Sequence, residues 1–577
     1  MKTKLSSSPF SIGAIAFIIV ITLGFRLYNS DLNPNKTLNV LTWDALGYYL
    51  YLPATFIYED ITELKWYPAI EAEYGASGGG NLYQANLQES GNYVFKYLGG
   101  VAIMESPFFF TAHIFAKNTS FPADGFSKPY QYGIAFGAIF YAILALILLR
   151  KILLRFFDDR TTALTLLLLT LASNWVQYIA VDGALSHSYI FPLYVLIIYL
   201  TMVWHDQPKL YLAMVIGFVI GLATICRPTE LIMVFIPLFW NTHTREETKQ
   251  KWSLVTRHKG HVIAAMVFGL IGILPQLLYW FHSTGDLIYN VGSKWSFLSP
   301  FFRVLFGWEK GWFIYTPVTV FFVAGLFFSR SYPFKKSVSI FCLLNIWIII
   351  SWFHWRYGAS YSTRALVQSY PVFALGLGAL ISRVFRKKWQ PYLLVIALTL
   401  IFINLFQTWQ YDEDILHSDH MNRQYYGKIF LNPRPSALEM SLLDTRDWVK
   451  KEDRLTRETI YQSASEFSWQ SPVKIHLIDH LPNTDSREHW LKFRLELKTD
   501  GIPAGGFIKT SVDNGLTQPL MSRIRLNRPL YKPGNWNDYS FYVKLPPDTD
   551  KSILNVHLEG SGTDKVDCRN FYIEYLF

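Results

Sequence analysis

The sequence predicts a polytopic α-helical membrane protein followed by an all-β domain. Three observations point there. The 577 residues are 51% hydrophobic and only 17% charged, where average soluble domains carry roughly 25% charge. The apolar residues fall into runs approaching the roughly 20 residues that a spanning helix needs. Lysine and arginine gather in short segments between those runs, and strand-like alternation begins only after about residue 455.

Eleven apolar runs are expected to be helices, near 10–27, 130–149, 161–180, 188–204, 210–226, 228–240, 261–281, 313–329, 337–353, 364–382 and 389–409. The first could pass for the core of a signal peptide. No small-x-small cleavage site follows it and many further runs do, so it reads as a retained helix. The 210–240 stretch would extend on the order of 45 Å as one helix, too long for a bilayer core of about 30 Å. Arg227-Pro228 interrupts it, where proline breaks the ladder and arginine is costly in lipid. Two short spans meeting at a hairpin follow.

With eleven spans and a cytoplasmic N-terminus, the basic clusters share one side. They are Lys2/Lys4, Arg150/Lys151/Arg155/Arg160, Lys209, Arg245/Lys249/Lys251/Arg257/Lys259, Arg330/Lys335/Lys336 and Arg383/Arg386/Lys387/Lys388. The net charge of +10 is thus explained by membrane topology, and no nucleic-acid partner is expected. The expected location is a bacterial inner (plasma) membrane with the C-terminal domain on the periplasmic side. Cys226 and Cys342 sit in apolar runs and Cys568 stands alone, so no disulfide, redox or metal reading starts from them.

The outer face then receives the loop 28–129, the hairpins at 181–187 and Arg227, the loop 282–312, the turn 354–363 and everything after about 410. Within the first loop, 44–58 and 98–116 read as interfacial helices rich in Tyr, Phe and Leu, separated by the flexible Gly75–Gly80 segment. Glu105-Ser-Pro107 argues against 98–116 crossing the bilayer. The domains expected are 1–409 (membrane), 410–454 (connector) and 455–577. In the last, short alternating segments at 473–480, 490–498, 506–512, 521–526, 539–545, 553–558 and 570–576 suggest an antiparallel β-sandwich.

Asp44 is the one carboxylate in the apolar, aromatic stretch 39–54. It could cap a helix, as could Thr42, or remove a proton from an acceptor hydroxyl as that oxygen attacks. Arg227 could clamp a phosphate with its planar fork or pair with Glu230 three positions on. His187, in the 182–187 hairpin, could donate to a phosphate or leaving oxygen, or be satisfied by backbone. The stretch Trp352–Arg364 brings His354, Arg356 and Arg364 among aromatics. These suit sugar stacking and phosphate binding, or an interfacial belt with snorkelling arginines. Loop 282–312 adds Lys294, Arg303 and Glu309-Lys310, and Lys96 in the first loop ranks above Lys294.

No P-loop, dinucleotide fingerprint or HExxH is present in the sequence, so any donor must arrive already activated. On these residues the chain resembles the GT-C superfamily of membrane glycosyltransferases, the fold of protein O-mannosyltransferases and aminoarabinose transferases. The resemblance covers about 10–410. It rests on Trp43-Asp44 after the first span, large first-loop helices, Lys96-Tyr97 with the later Pro107, Ser186-His187, Arg227-Pro228, Tyr315-Thr316-Pro317 and the turn from Gly358 to Arg364.

The resemblance implies transfer of a sugar from a polyprenyl-phosphate donor to a glycan, lipid or protein acceptor, with Asp44 as base. Arg227, Arg364, Lys96, His187 and Arg356 would bind the donor phosphate, and Trp43, Tyr48, Glu105 and His354 the substrate. Many relatives place a second acidic residue beside the aspartate. Here Ala45 follows, so a divalent ion, which wants several oxygen ligands, is not favoured and no cofactor is expected. Two other readings stay open: a ligase for a whole lipid-linked glycan, and a non-catalytic scaffold or carrier presenting the β-domain for cell-envelope polysaccharide.

Overall fold

The computed structural model describes residues 8–577 except 386–388, 470–472, 479–487, 504, 514–517, 547–551 and 560–564. The expected cytoplasmic charges Lys2, Lys4, Arg386, Lys387 and Lys388, and the end of the strand expected at 473–480, lie outside the described residues. The chain divides into two units, Met1–Thr408 and Trp409–Phe577.

The first unit opens with α1 (Pro9–Tyr28). The following loop folds as α2 (Asp44–Tyr49), α3 (Tyr51–Phe56), α4 (Tyr67–Tyr74), the hairpin β1 (Ala85–Leu87) and β2 (Tyr93–Phe95), and α5 (Gly100–Lys117). Then come α6 (Lys128–Leu153), α7 (Asp159–Leu171), α8 (Ser186–Asp206), α9 (Leu210–Cys226), α10 (Phe235–Phe239), α11 (Arg245–Arg257) and α12 (Lys259–Thr284). After these follow α13 (Arg303–Phe306), α14 (Trp312–Tyr315), α15 (Thr319–Phe328), α16 (Lys335–Ile350), α17 (Tyr370–Phe385) and α18 (Gln390–Asp412). Helix lies on every one of the eleven apolar runs. Among the described residues six helical segments are long and apolar enough to cross a membrane: α1, α6, α8, α12, α18 and Arg364–Phe385. By length and composition the chain is an integral membrane protein.

Three details differ from the sequence reading. The stretch 44–58 is two short helices rather than one. A π-helical turn, Gln177–Val181, separates α7 from α8; there Asp182 N–H reaches Gln177 O at 2.9 Å, and Arg26 of α1 donates to the carbonyls of Ala180 and Val181 at 2.9 Å. After Cys226 the chain runs extended through Arg227 and resumes as a 3-10 helix, Pro228–Val234, before α10. The break therefore falls where arginine and proline place it.

Helix ends are satisfied by side chains from neighbours. Asp159 accepts from the N–H groups of Phe10 and Ser11 at 2.9 and 3.0 Å, putting a carboxylate at the positive end of α1. The carbonyls at the end of α10 are met by Lys251 of α11, whose ammonium donates to Pro237 O and Leu238 O at 2.5 Å and to Trp240 O at 2.9 Å. In an apolar setting each such carbonyl left unpaired would cost several kcal/mol.

Burial ranks the helices. The apolar window of Arg364–Phe385 is 100% buried and that of α8 is 78% buried, against 17% for α12. The two central elements therefore begin at Arg364 and at Ser186-His187, and the fold brings both starts inside the first unit.

The second unit begins with the end of α18, then α19 (Arg423–Ile429) and α20 (Ala437–Ser441), the latter started by a capping box between Ser436 and Glu439. Nine strands follow among the described residues: β3 (Arg457–Ser463), β4 (Phe467–Trp469), β5 (Val473–Ile478), β6 (Trp490–Thr499), β7 (Phe507–Asp513), β8 (Leu520–Arg525), β9 (Asn537–Lys544), β10 (Ile553–Glu559) and β11 (Val566–Leu576). They form two antiparallel sheets, β5-β10-β7-β8 and β3-β11-β6-β9, with β4 also on β11. Leu491, Phe493, Phe541 and Ile573 of one sheet share a core with Ile508, Leu554, Val556 and Leu558 of the other. Phe493 lies opposite Phe541 with ring centroids 4.6 Å apart, a pair worth about 0.5–1.5 kcal/mol beyond its area. The sequence reading missed β3 and β4.

Candidate active site

Asp44 opens α2. Its side chain caps nothing, since the first turn has no side-chain cap bond. One carboxylate oxygen, Oδ1, accepts from Tyr97 at 2.6 Å and from Tyr83 at 2.9 Å. The other, Oδ2, is held by the Arg364 guanidinium. Burial pulls the carboxyl upward, but the Arg364 charge and the two phenols outweigh it and hold Asp44 below the ordinary value of 3.8. Asp44 is therefore an ionised, oriented carboxylate at neutral pH.

Tyr83 and Tyr97 arrive together because β1 and β2 pair. Ala85 faces Phe95, Lys96 N–H bonds Gln84 O at 2.9 Å, and the next pair out is Tyr83 with Tyr97. The alternating segments on either side of Gly91 were the sequence signal for this hairpin, and the sequence reading did not use it. Gly47, one turn beyond Asp44, makes the space: a Cβ there would lie 2.1 Å from Tyr97 Cδ2. Trp43 is left-handed (φ 55). Its ring lies against Gly78, where a Cβ would come within 2.4 Å of it, and its carbonyl accepts from Gln84 at 2.9 Å. The glycine segment 75–80 thus clamps Trp43, which stays 56% exposed.

Tyr48 links Asp44 to the next cation. Its ring meets Tyr97 edge-on at 4.7 Å. Burial raises its phenol, opposed by the charge of Arg227 and a bond to Ser186, and Asp44 and Arg364 also act on it. His187 is 4% exposed, bonds Gln368 through Nδ1 at 2.8 Å, and has Arg227, Arg364 and Asp44 as electrostatic neighbours. Asp44, Tyr48, His187, Arg227 and Arg364 therefore form one cluster.

Arg227 makes no ion pair with Glu230 within 4 Å among the described residues. Instead Glu230 is held by Tyr194, by Thr229 at 3.2 Å and by Gln368 at 3.1 Å. Arg227 Nη1 is buried with no hydrogen-bond partner among the described residues. Lys96 lies 5.9 Å from the Tyr83 ring centroid.

The other expected residues lie elsewhere. Arg356, on the exposed turn, pairs with Glu309 at 2.9 Å, and His354 packs between Trp352 and Phe353. Lys310 is buried and donates to the carbonyls of Arg356 (3.1 Å) and Gly358, fixing that turn. Arg303 stacks on Trp355 at 3.8 Å. Glu105 is fully buried on α5, with neither oxygen in a well-formed hydrogen bond. Its neighbours are Tyr189, Tyr49 and Cys226 rather than the Asp44 cluster. Among the described residues no group of three or more His, Cys, Asp or Glu is placed to hold a metal ion.

The arrangement offers one ionised carboxylate beside two guanidiniums, lined by phenols and a histidine. Such a site can take an oxyanion on its cations and a proton on its carboxylate.

No family model and no curated protein sequence matches the chain. Solved structures do. An archaeal oligosaccharyltransferase, AglB from Archaeoglobus fulgidus in complex with an inhibitory peptide and a dolichol-phosphate, matches at 13% identity over 72% of this chain and 57% of its own, TM-score 0.41. ArnT from Cupriavidus metallidurans matches at 12% identity over 73% of this chain and 68% of its own, TM-score 0.41. The arabinosyltransferase EmbB from Mycobacterium smegmatis matches at 11% identity over 97% of this chain and 64% of its own, TM-score 0.38. The chain spans less than two thirds of AglB and of EmbB. All three are GT-C glycosyltransferases, the superfamily that the sequence resembles. At these identities and TM-scores the likeness is remote, and the chemistry rests on the site itself.

Proposed function

We propose that the protein is a membrane glycosyltransferase. It moves a sugar from a polyprenyl-phosphate carrier to a hydroxyl of a glycan, lipid or protein on the outer face of a bacterial inner membrane. The basic clusters on one side of the eleven-span topology support this orientation, with the N-terminus cytoplasmic and the β-domain outside. The observation that carries the reading is Asp44 sharing one cluster with Arg364 and with Arg227, whose buried N–H lacks a partner among the described residues.

In this mechanism the acceptor oxygen attacks the anomeric carbon while the anomeric C–O bond to phosphate breaks. The proton of the acceptor hydroxyl passes to Asp44, and the carrier leaves as a phosphate anion held by Arg227 and Arg364, with Lys96 nearby. A low-pKa carboxylate serves because the attacking oxygen becomes strongly acidic only as its new bond forms. Developing negative charge on the leaving oxygen meets guanidiniums already in place, so little reorganisation is needed. Trp43 and Tyr48 offer aromatic surface to the sugar.

The test is transfer by purified Asp44→Asn protein, supplied with polyprenyl-phosphate hexoses and pentoses in lipid nanodiscs. Full activity in that variant, with the fold intact by thermal melting, would sink the mechanism.

A further inference from the structure

Behind the cluster lies a chain of three buried side chains: Glu230 at 1% exposure, Gln368 at 0% and His187 at 4%. Glu230 receives the Tyr194 hydroxyl on Oε2, and Thr229 Oγ1 and Gln368 Nε2 on Oε1. Three donors converge on it, and Arg227 is its charged neighbour. Gln368 turns its NH2 to Glu230 Oε1 at 3.1 Å and its carbonyl oxygen to the other side, where His187 Nδ1 lies at 2.8 Å.

A carbonyl oxygen only accepts, so Nδ1 carries the ring proton and the lone pair sits on Nε2. With Arg227 and Arg364 already beside it, the neutral ring avoids a third positive charge. Nε2 takes no hydrogen bond from any described residue, although the ring is almost wholly buried. It is an unpartnered acceptor in a site otherwise furnished with cationic donors. A phosphate oxygen has no proton to give it. A sugar hydroxyl has. Arg227 and Arg364 both act on the ring, so it neighbours the two groups proposed to hold the carrier phosphate, to which the donor's own sugar is attached.

We propose that His187 Nε2 accepts a hydrogen bond from a hydroxyl of the donor sugar, and that Gln368, backed by Glu230, is the positioning residue that fixes this tautomer. His187 then reads the sugar and leaves the phosphate to Arg227 and Arg364, in contrast to the donor role expected from the sequence. This rests on the glycosyltransferase reading, and the experiment separates the two.

The full-length protein in nanodiscs is labelled with 15N-histidine, and the His187 ring signals are assigned by their loss in His187→Asn. At neutral pH the expected pattern is a protonated Nδ1 and a bare Nε2, with the preference lost in Gln368→Leu. A proton on Nε2 in the wild type overturns the proposal whatever the protein's activity. In parallel, binding of sugar-free polyprenyl phosphate is compared with a panel of polyprenyl-phosphate hexoses and pentoses.

His187→Phe should bind the sugar-free carrier within twofold of wild type, while Arg227→Gln binds it at least tenfold more weakly. The extra affinity that a sugar confers on the wild type should vanish in His187→Phe and partly return in His187→Gln, whose amide oxygen can accept at the same reach. Loss of carrier binding in His187→Phe, a sugar gain that survives in it, or no sugar gain in the wild type would each overturn the proposal. Failure of the wild type to bind any polyprenyl phosphate would instead remove the functional reading, and the tautomer measurement would still stand.

Discussion

Two carboxyls of the first unit meet opposite surroundings: Asp44, whose side chain is 25% exposed, and Glu105, which is fully buried. Asp44 receives two phenols and a guanidinium on its two oxygens. Glu105 has no well-formed hydrogen bond among the described residues, and burial pushes its pKa well above the ordinary 4.5. One is held as an anion, and the other is pushed toward its neutral form. Burial alone does not make a reactive group, because without donors the cheapest response of a buried acid is to keep its proton.

The widest separation between the two should appear in transfer rate. Asp44→Asn should lower kcat by about 10²–10⁴, the usual contribution of a general base, whereas Glu105→Gln should leave it within about threefold. A comparable loss in both would erase the distinction drawn here. Ligand affinity comes next. Arg364 now serves Asp44, so a carrier phosphate must compete for it. Arg364→Gln should weaken polyprenyl phosphate about tenfold, and Asp44→Asn should tighten it several-fold by freeing the guanidinium. Titration of the bare carrier in nanodiscs reads both, and unchanged affinity in Asp44→Asn would mean that the two anions do not share Arg364.

Smaller effects sharpen the contrast in pH. Asp44 has a lowered pKa, so its charge is present above about 3.8 and lost only as pH falls through its folded value. The pH–rate profile should accordingly show no acid limb from Asp44 between pH 5 and 8. Tyr97→Phe or Tyr83→Phe each removes a hydrogen bond to a charged group and should cost about 1.5 kcal/mol of thermal stability, while moving that limb upward.

Glu105 has the reverse sign. Its folded pKa is raised, so the wild type loses stability relative to Glu105→Gln as pH climbs above 4.5. The gap grows by up to about 1.4 kcal/mol per pH unit until the folded value is reached. Thermal melts at pH 5 and 7 test it, and a pH-independent difference would show that Glu105 is ionised in the fold.

Much of the helical order could be read from the chain because each apolar run is long and the Arg227-Pro228 break is chemically blunt. The β-domain was legible through alternation, except β3 and β4. The strand β3 is mostly exposed or half-exposed, so it lacks the apolar period that marks a buried strand. In the site, polar residues stranded in apolar or aromatic stretches, such as Asp44 and Arg227, stood out by type alone. Tyr83, Tyr97 and Gln368 did not. Tyrosine is abundant in this chain, and Gln368 lies inside an apolar run, so only pairing and packing show what they touch. Arg356 and Arg364 show the limit most plainly. Eight residues apart in one turn, they point to different acids, Glu309 and Asp44, a divergence that the backbone path decides.

The lysine under α10 has a consequence for Arg227. The segment from Arg227 to Trp240 is tethered at its tail, where Lys251 grips the carbonyls of Pro237, Leu238 and Trp240, and its head carries the guanidinium that faces the site. The position of its head is therefore set partly from its tail, like a float whose line is made fast at the far end. Any partner, lipid or modification that shifts α11 would move Arg227 without touching it.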